Sequence, residues 1–181
     1  MRIMKRGRSM MVVAATVAFG ALTTLSAQSQ GNTYSATLVP GQENPALSKP
    51  GSGTITLDID EAAGEINYVL TYTGLVDVRQ SHIHFEKPAI NRGIFLWLCK
   101  TATNPGPTPN KTPDCPVGSG SVSGTLLASD VQGVPAQRLA AGDFASAVAQ
   151  IRNGLAYANV HTGENPGGEI RGQIQQGGGH K

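Results

Sequence analysis

The chain reads as an all-β protein: a β-sandwich or Greek-key barrel of about eight short strands with one short helix. Three observations predict this. Segments of alternating apolar and polar residues recur along the chain, separated by turn-forming residues. Gly is abundant (23 of 181 residues) while Phe, Trp and Tyr together are few, a mix suited to tight turns between strands. Helical spacing occurs only once.

The elements follow in order. Residues 33–39 form a first strand, stopped by Pro40-Gly41. Residues 53–60 alternate cleanly, with Ile55, Leu57 and Ile59 on one face, as in a half-buried antiparallel strand. Residues 61–64 turn the chain. Residues 65–72 return with Ile66, Tyr68, Leu70 and Tyr72 in register, and Gly74 ends the run. Residues 80–86 are a strand carrying His82 and His84. Residues 93–99 are nearly all apolar, which predicts burial on both faces and a core role for Trp97. Residues 120–127 alternate again. Asp143 is a helix N-cap, Phe144, Val148 and Ile151 follow helical spacing, and Gly154 stands at the C-terminal cap. Residues 155–161 and 169–174 are the last strands.

The first 28 residues have the form of an export signal. Arg2, Lys5, Arg6 and Arg8 precede a short apolar run, and small residues at Ser26, Ala27 and Ser29 suit cleavage. The run is short for a membrane span, which needs roughly 20 residues. Membrane contact is therefore expected only through the signal, before cleavage. Residues 29–175 are expected to form one domain and residues 176–181 a flexible polar tail. Four of the 14 basic residues lie in the leader. The remaining ten face 12 acidic residues, a balance of −2. No basic cluster remains, which removes the electrostatic support for nucleic-acid binding. The expected location is secreted or periplasmic.

In that setting Cys99 and Cys115 are expected to pair. The Pro-rich segment between them cannot join a sheet centre or form a helix. A bridge closing this loop would stabilise by roughly 3 kcal/mol.

The chemistry lies in three histidines. His82 and His84 are two apart, so on a strand they share a face. His161 lies on a second strand. Three imidazoles suit copper or zinc, and Glu86, Glu164 and Glu169 are candidate oxygen ligands. The competing reading has the rings hydrogen-bonded to polar neighbours such as Asn159, Thr162 and Glu169. Convergence of the ring nitrogens within about 4 Å of one point would favour a metal. Glu169 and Arg171, also two apart, are expected to form a structural ion pair or to hold the 163–168 turn. Glu43 lies in a loop able to reach the same end of the domain, where it is expected to be a solvated carboxylate. Nucleophile elbows, phosphate-cradling loops and zinc-protease helices are absent from the sequence.

Gly41-Gln42-Glu43-Asn44-Pro45, His82-Ile83-His84 with Gly93, and Tyr157-Ala158-Asn159-Val160-His161-Thr162 running into Asn165-Pro166-Gly167-Gly168-Glu169-Ile170-Arg171-Gly172 together resemble the CHRD domain. That module is repeated in chordin and occurs alone in many exported bacterial proteins. The resemblance spans Thr33 to Gln173, with residues 99–115 as an insertion. It implies a secreted, immunoglobulin-like β-sandwich and no established catalytic residues. The paired histidines also resemble, locally, those of Cu/Zn superoxide dismutase, although the rest of that enzyme's ligand set is missing.

Three functions are therefore open. The first is an exported, non-enzymatic binding module for an extracellular protein or surface polymer, holding copper or zinc at His82, His84 and His161, with Glu43, Asn159, Glu169 and Arg171 as further binding residues. The second is a copper-dependent redox enzyme of the superoxide-dismutase kind. The third is a purely structural envelope protein. Catalysis is the less expected of these outcomes.

Overall fold

The computed structural model describes residues 32–108 and 111–177; the signal reading and residues 178–181 lie outside them. Among the described residues, nine strands form two antiparallel sheets. In chain order they are β1 (Thr33–Leu38), β2 (Ser52–Asp60), β3 (Glu65–Thr73), β4 (Val78–Phe85), β5 (Ile94–Cys99), β6 (Gly120–Leu127), β7 (Ala156–Thr162), β8 (Ile170–Gln173) and β9 (Gln175–Gln176). One helix, α1 (Phe144–Arg152), precedes β7. The sheet orders are β6-β3-β2-β1-β9 and β5-β4-β7-β8. Among the described residues, no helix is long and apolar enough to cross a membrane.

The expected sandwich is present. The alternation read from β2 and β3 is the alternation of burial: Ile55, Leu57, Ile59, Ile66, Tyr68, Leu70 and Tyr72 face the core, and the residues between them face solvent. Burying each such side chain favours this register by about 1.5–3 kcal/mol, and a one-residue slip would expose them all. The carboxylate of Asp143 accepts from Ser146 N at 3.0 Å, as an N-cap should, and Gly154 takes φ 67° past the helix end. The sheet also includes Gln175 and Gln176, through pairing of β9 with Tyr34 and Ser35.

Cys99 and Cys115 are bridged. The disulfide ties the Pro-rich insert to the end of β5. Lys100 N donates to Pro113 O, and Cys115 N to Lys100 O, beside it. β5 is an edge strand, yet its apolar run is largely buried. The insert and the backbone bond from Gln132 N to Phe95 O account for part of that cover.

Candidate functional site

The site lies on the outer face of the four-stranded sheet. Ile83, Ala158, Val160 and Ile170 belong to the hydrophobic core, and Ile170 lies against Gly53 of the opposite sheet. Their neighbours along each strand therefore point away from the core. Register then sets them in rows. Trp97, His82, Asn159 and Arg171 are successive cross-strand partners; His84, Tyr157 and Gln173 form the next row, and His161 stands opposite Gln80. Trp97 thus belongs to this outer face and not to the core expected of it. An outward face is ordinarily wet, but here loops cover it. His82, His84 and His161 are only 0%, 6% and 5% exposed.

The three rings converge: one candidate ligand atom from each lies within 4.8 Å of the others. Two hydrogen bonds fix how two of them present themselves. His84 Nδ1 lies 2.8 Å from Arg92 O, and His161 Nδ1 lies 2.9 Å from Pro166 O. A carbonyl only accepts, so each Nδ1 carries the proton. Burial pushes the imidazolium pKa of His84 down to about 4 and lowers that of His161, so both rings are neutral near pH 7. Each Nε2 is then a bare lone pair directed inward. His161 Nε2 is 3.1 Å from His82 Nδ1 and 2.9 Å from Asn159 Oδ1; His84 Nε2 is 3.0 Å from that same oxygen. His82 is held well below its ordinary pKa, by burial first and by the neighbouring imidazoles second. Its Nε2 is buried without a hydrogen-bond partner.

Aromatic stacking holds the cluster from both sides. Tyr157 stacks on His84 with ring planes 1° apart and centroids 4.7 Å apart, and the Arg171 guanidinium sits 3.3 Å over the tyrosine ring. Trp97 meets His82 edge to face at 4.2 Å. Gly106 of the insert presses on the indole, where a Cβ would come within 2.7 Å of it.

The remaining candidates divide. Asn159 joins the histidines. Glu169 and Arg171 do not pair with each other. Glu169 accepts from Thr162 Oγ1 and from Asn165 Nδ2 (2.9 Å) and lies 3.7 Å from Lys49 Nζ, so it holds the 163–168 turn. Arg171 donates to Asn91 Oδ1 (2.9 Å), Ile90 O (3.0 Å) and Lys87 O (3.3 Å), fastening the 86–93 loop over the sheet. Sheet pleat puts them near one another, but loops on either side supply better partners. Glu43 is not the solvated carboxylate expected. It is buried against Gly168, which at φ 126° and with no Cβ leaves room for it. Burial raises its pKa from 4.5 to about 7, against the opposing pull of Arg171. The other carboxylates considered as ligands are engaged elsewhere: Glu86 with Arg92 at 3.3 Å, Glu164 with Lys49 at 2.7 Å.

Sequence reasoning missed the carbonyls of Arg92 and Pro166 and the stacking role of Tyr157. Tyr157 carried a usable signal, since it lies two residues before Asn159 on the same strand face.

The CHRD domain model matches residues 34–174. The chain belongs to the CHRD domain family. That match takes in all three histidines, Asn159 and the arginine that clamps the covering loop. No curated protein and no solved structure matches this CHRD chain.

Proposed function

We propose that this CHRD domain is an exported, non-enzymatic binding module that holds one copper or zinc ion through His82, His84 and His161. One observation carries the reading. Carbonyl oxygens lock His84 and His161 as Nδ1–H tautomers, so their Nε2 lone pairs face a common centre that His82 also borders. Backbone acceptors of this kind orient ligand histidines in metal sites. Nitrogens on a tetrahedral ion with bonds of about 2.0–2.1 Å stand about 3.3 Å apart, so the rings, whose ligand atoms lie within 4.8 Å of one another, must draw together when an ion binds.

Enclosure of the rings supports holding an ion over turning over a substrate, because catalytic sites keep an open coordination position. It counts against the superoxide-dismutase-like alternative. The disulfide supports a secreted or periplasmic location. The partner is an extracellular protein or surface polymer, for which the module serves as a stable scaffold.

Thermal unfolding of the purified domain with and without Zn(II) or Cu(II) tests this. An ion at 100 times its dissociation constant should add about 2.7 kcal/mol of stability. His82→Ala and His161→Ala should each abolish that gain. Identical melting of the parent with and without metal overturns the reading.

A further inference from the structure

We propose that Asn159 supplies the fourth ligand to that ion, through Oδ1, and so closes its coordination sphere against water; this rests on the three-histidine reading. The register of β4 with β7 sets Asn159 directly opposite His82, between the other two rings. The gaps along the cluster run 3.1 Å from His82 Nδ1 to His161 Nε2, 2.9 Å on to Asn159 Oδ1, and 3.0 Å on to His84 Nε2. Ligand atoms on a tetrahedral ion with bonds of about 2.0–2.1 Å stand about 3.3 Å apart. Three of the spacings around the proposed shell are thus close to the tetrahedral value, while the histidine ligand atoms lie within 4.8 Å of one another, so binding would draw the rings inward.

Their hydrogen-bonding capacity points the same way. A carboxamide oxygen only accepts, and a neutral imidazole Nε2 whose proton sits on Nδ1 only accepts. Oδ1 therefore meets two lone pairs at 2.9 and 3.0 Å with no proton between them. A metal ion satisfies all of these acceptors at once. Without the ion, the carboxamide must turn to donate from Nδ2 to both rings. The occupant of the site thus decides which end of the side chain faces inward. None of the three carboxylates considered as oxygen ligands competes, since each is held by other partners.

The test uses the purified domain loaded with Co(II), Zn(II) or Cu(II). The parent should show a four-coordinate Co(II) visible spectrum and no metal-bound water in proton relaxation of the Cu(II) form. Asn159→Ala should admit a water, raise the relaxation rate and weaken Zn(II) binding at least about tenfold, the lower end of what is lost even for partners one shell further out. Asn159→Asp retains the shape and an oxygen and adds a charge. It should keep the four-coordinate spectrum, shift its bands and bind Zn(II) more tightly, which secures the test if the alanine variant fails to fold. A parent that binds while Asn159→Ala matches it in affinity, spectrum and relaxation overturns this inference alone. So does an Asn159→Asp spectrum and affinity unchanged from the parent. A parent that takes up no ion overturns the three-histidine reading as well.

Discussion

The two sheets of this sandwich are built on different rules. In the five-stranded sheet, β1, β2 and β3 bury every second residue and leave the others in solvent. In the four-stranded sheet, every residue of β7 is buried, and β4 is buried continuously from Ser81 to His84. One sheet is a scaffold with a single working face. The other has a second covered face, and that face is polar: three imidazoles, a carboxamide and a guanidinium. Covering such groups costs free energy unless each finds a partner. Loops 86–93 and 163–168 supply partners for His84, His161 and Arg171, while Nε2 of His82 is left without one.

The largest expected effect separates the sheets by substitution. Along β2, replacing outward Thr56 with Ala should change stability by less than about 0.5 kcal/mol. Replacing outward Tyr157 of β7 with Ala should cost about 3–5 kcal/mol, the range for large buried aromatics. Urea unfolding of both variants measures this, and equal small effects would mean the outer face of β7 is not covered in solution.

The disulfide sharpens the comparison at the edge of the four-stranded sheet. Replacing Cys99 and Cys115 together with Ala should lower stability by about 3 kcal/mol. Trp97, the only tryptophan in the chain, lies against the insert that the bridge anchors. Its fluorescence should shift to the red in the same variant as the insert loosens, and an unmoved emission maximum would contradict the anchoring role.

A subtler effect appears with pH, and here two buried groups oppose each other. The ordinary histidine pKa is 6.5, whereas folded His84 protonates only near 4. Stability from neutral His84 is complete above pH 6.5 and is lost as pH falls towards 4, by on the order of 3 kcal/mol. His82 and His161 act in the same direction. Glu43 acts in reverse. Folding raises its pKa from 4.5 to about 7, so its contribution is complete below pH 4.5 and is lost as pH rises through 7. Between pH 4.5 and 6.5 the opposing slopes partly cancel. Glu43→Gln removes one of them, so the metal-free variant should lose stability more steeply than the parent as pH falls from 6.5 to 4.5. Parallel pH profiles would show that the Glu43 carboxyl is not buried.

This contrast also marks what could be read from residue order. Alternation in β2 and β3 is a local pattern, and a single burial rule explains it. His82 and His84 share a face by strand geometry alone, and a cysteine pair in a chain expected to be exported has few alternatives to bridging. The outer cover is different, since it depends on contacts between residues far apart in the chain. Asn159 meets His84 across 75 positions, and Arg171 meets Asn91 across 80. No periodicity reports such pairings. Glu43 was misread for the same reason: a loop carboxylate is normally wet, and only the later Gly168 makes room for it. The expected pairing of Glu169 with Arg171 failed because strand spacing shows which side chains share a face, while the surrounding loops decide which partners they take.

The margins of the sandwich are unequal. At one, Val39 and Arg171 exchange backbone hydrogen bonds of 3.0 and 3.3 Å across the sheets, and Gly172 packs so tightly on Thr37 O that a Cβ there would lie 2.3 Å from it. At the other, β5 and β6 belong to different sheets; Tyr68 Oη of the neighbouring β3 donates to Leu98 O of β5 at 2.5 Å across them, beside a cavity of about 110 Å³. The domain is bound like a book, with a spine stitched by backbone and a fore-edge held by side chains. Arg171 lies in that spine while its side chain secures the cover of the imidazole cluster, so one residue fastens both the joint between the sheets and the loop over the rings.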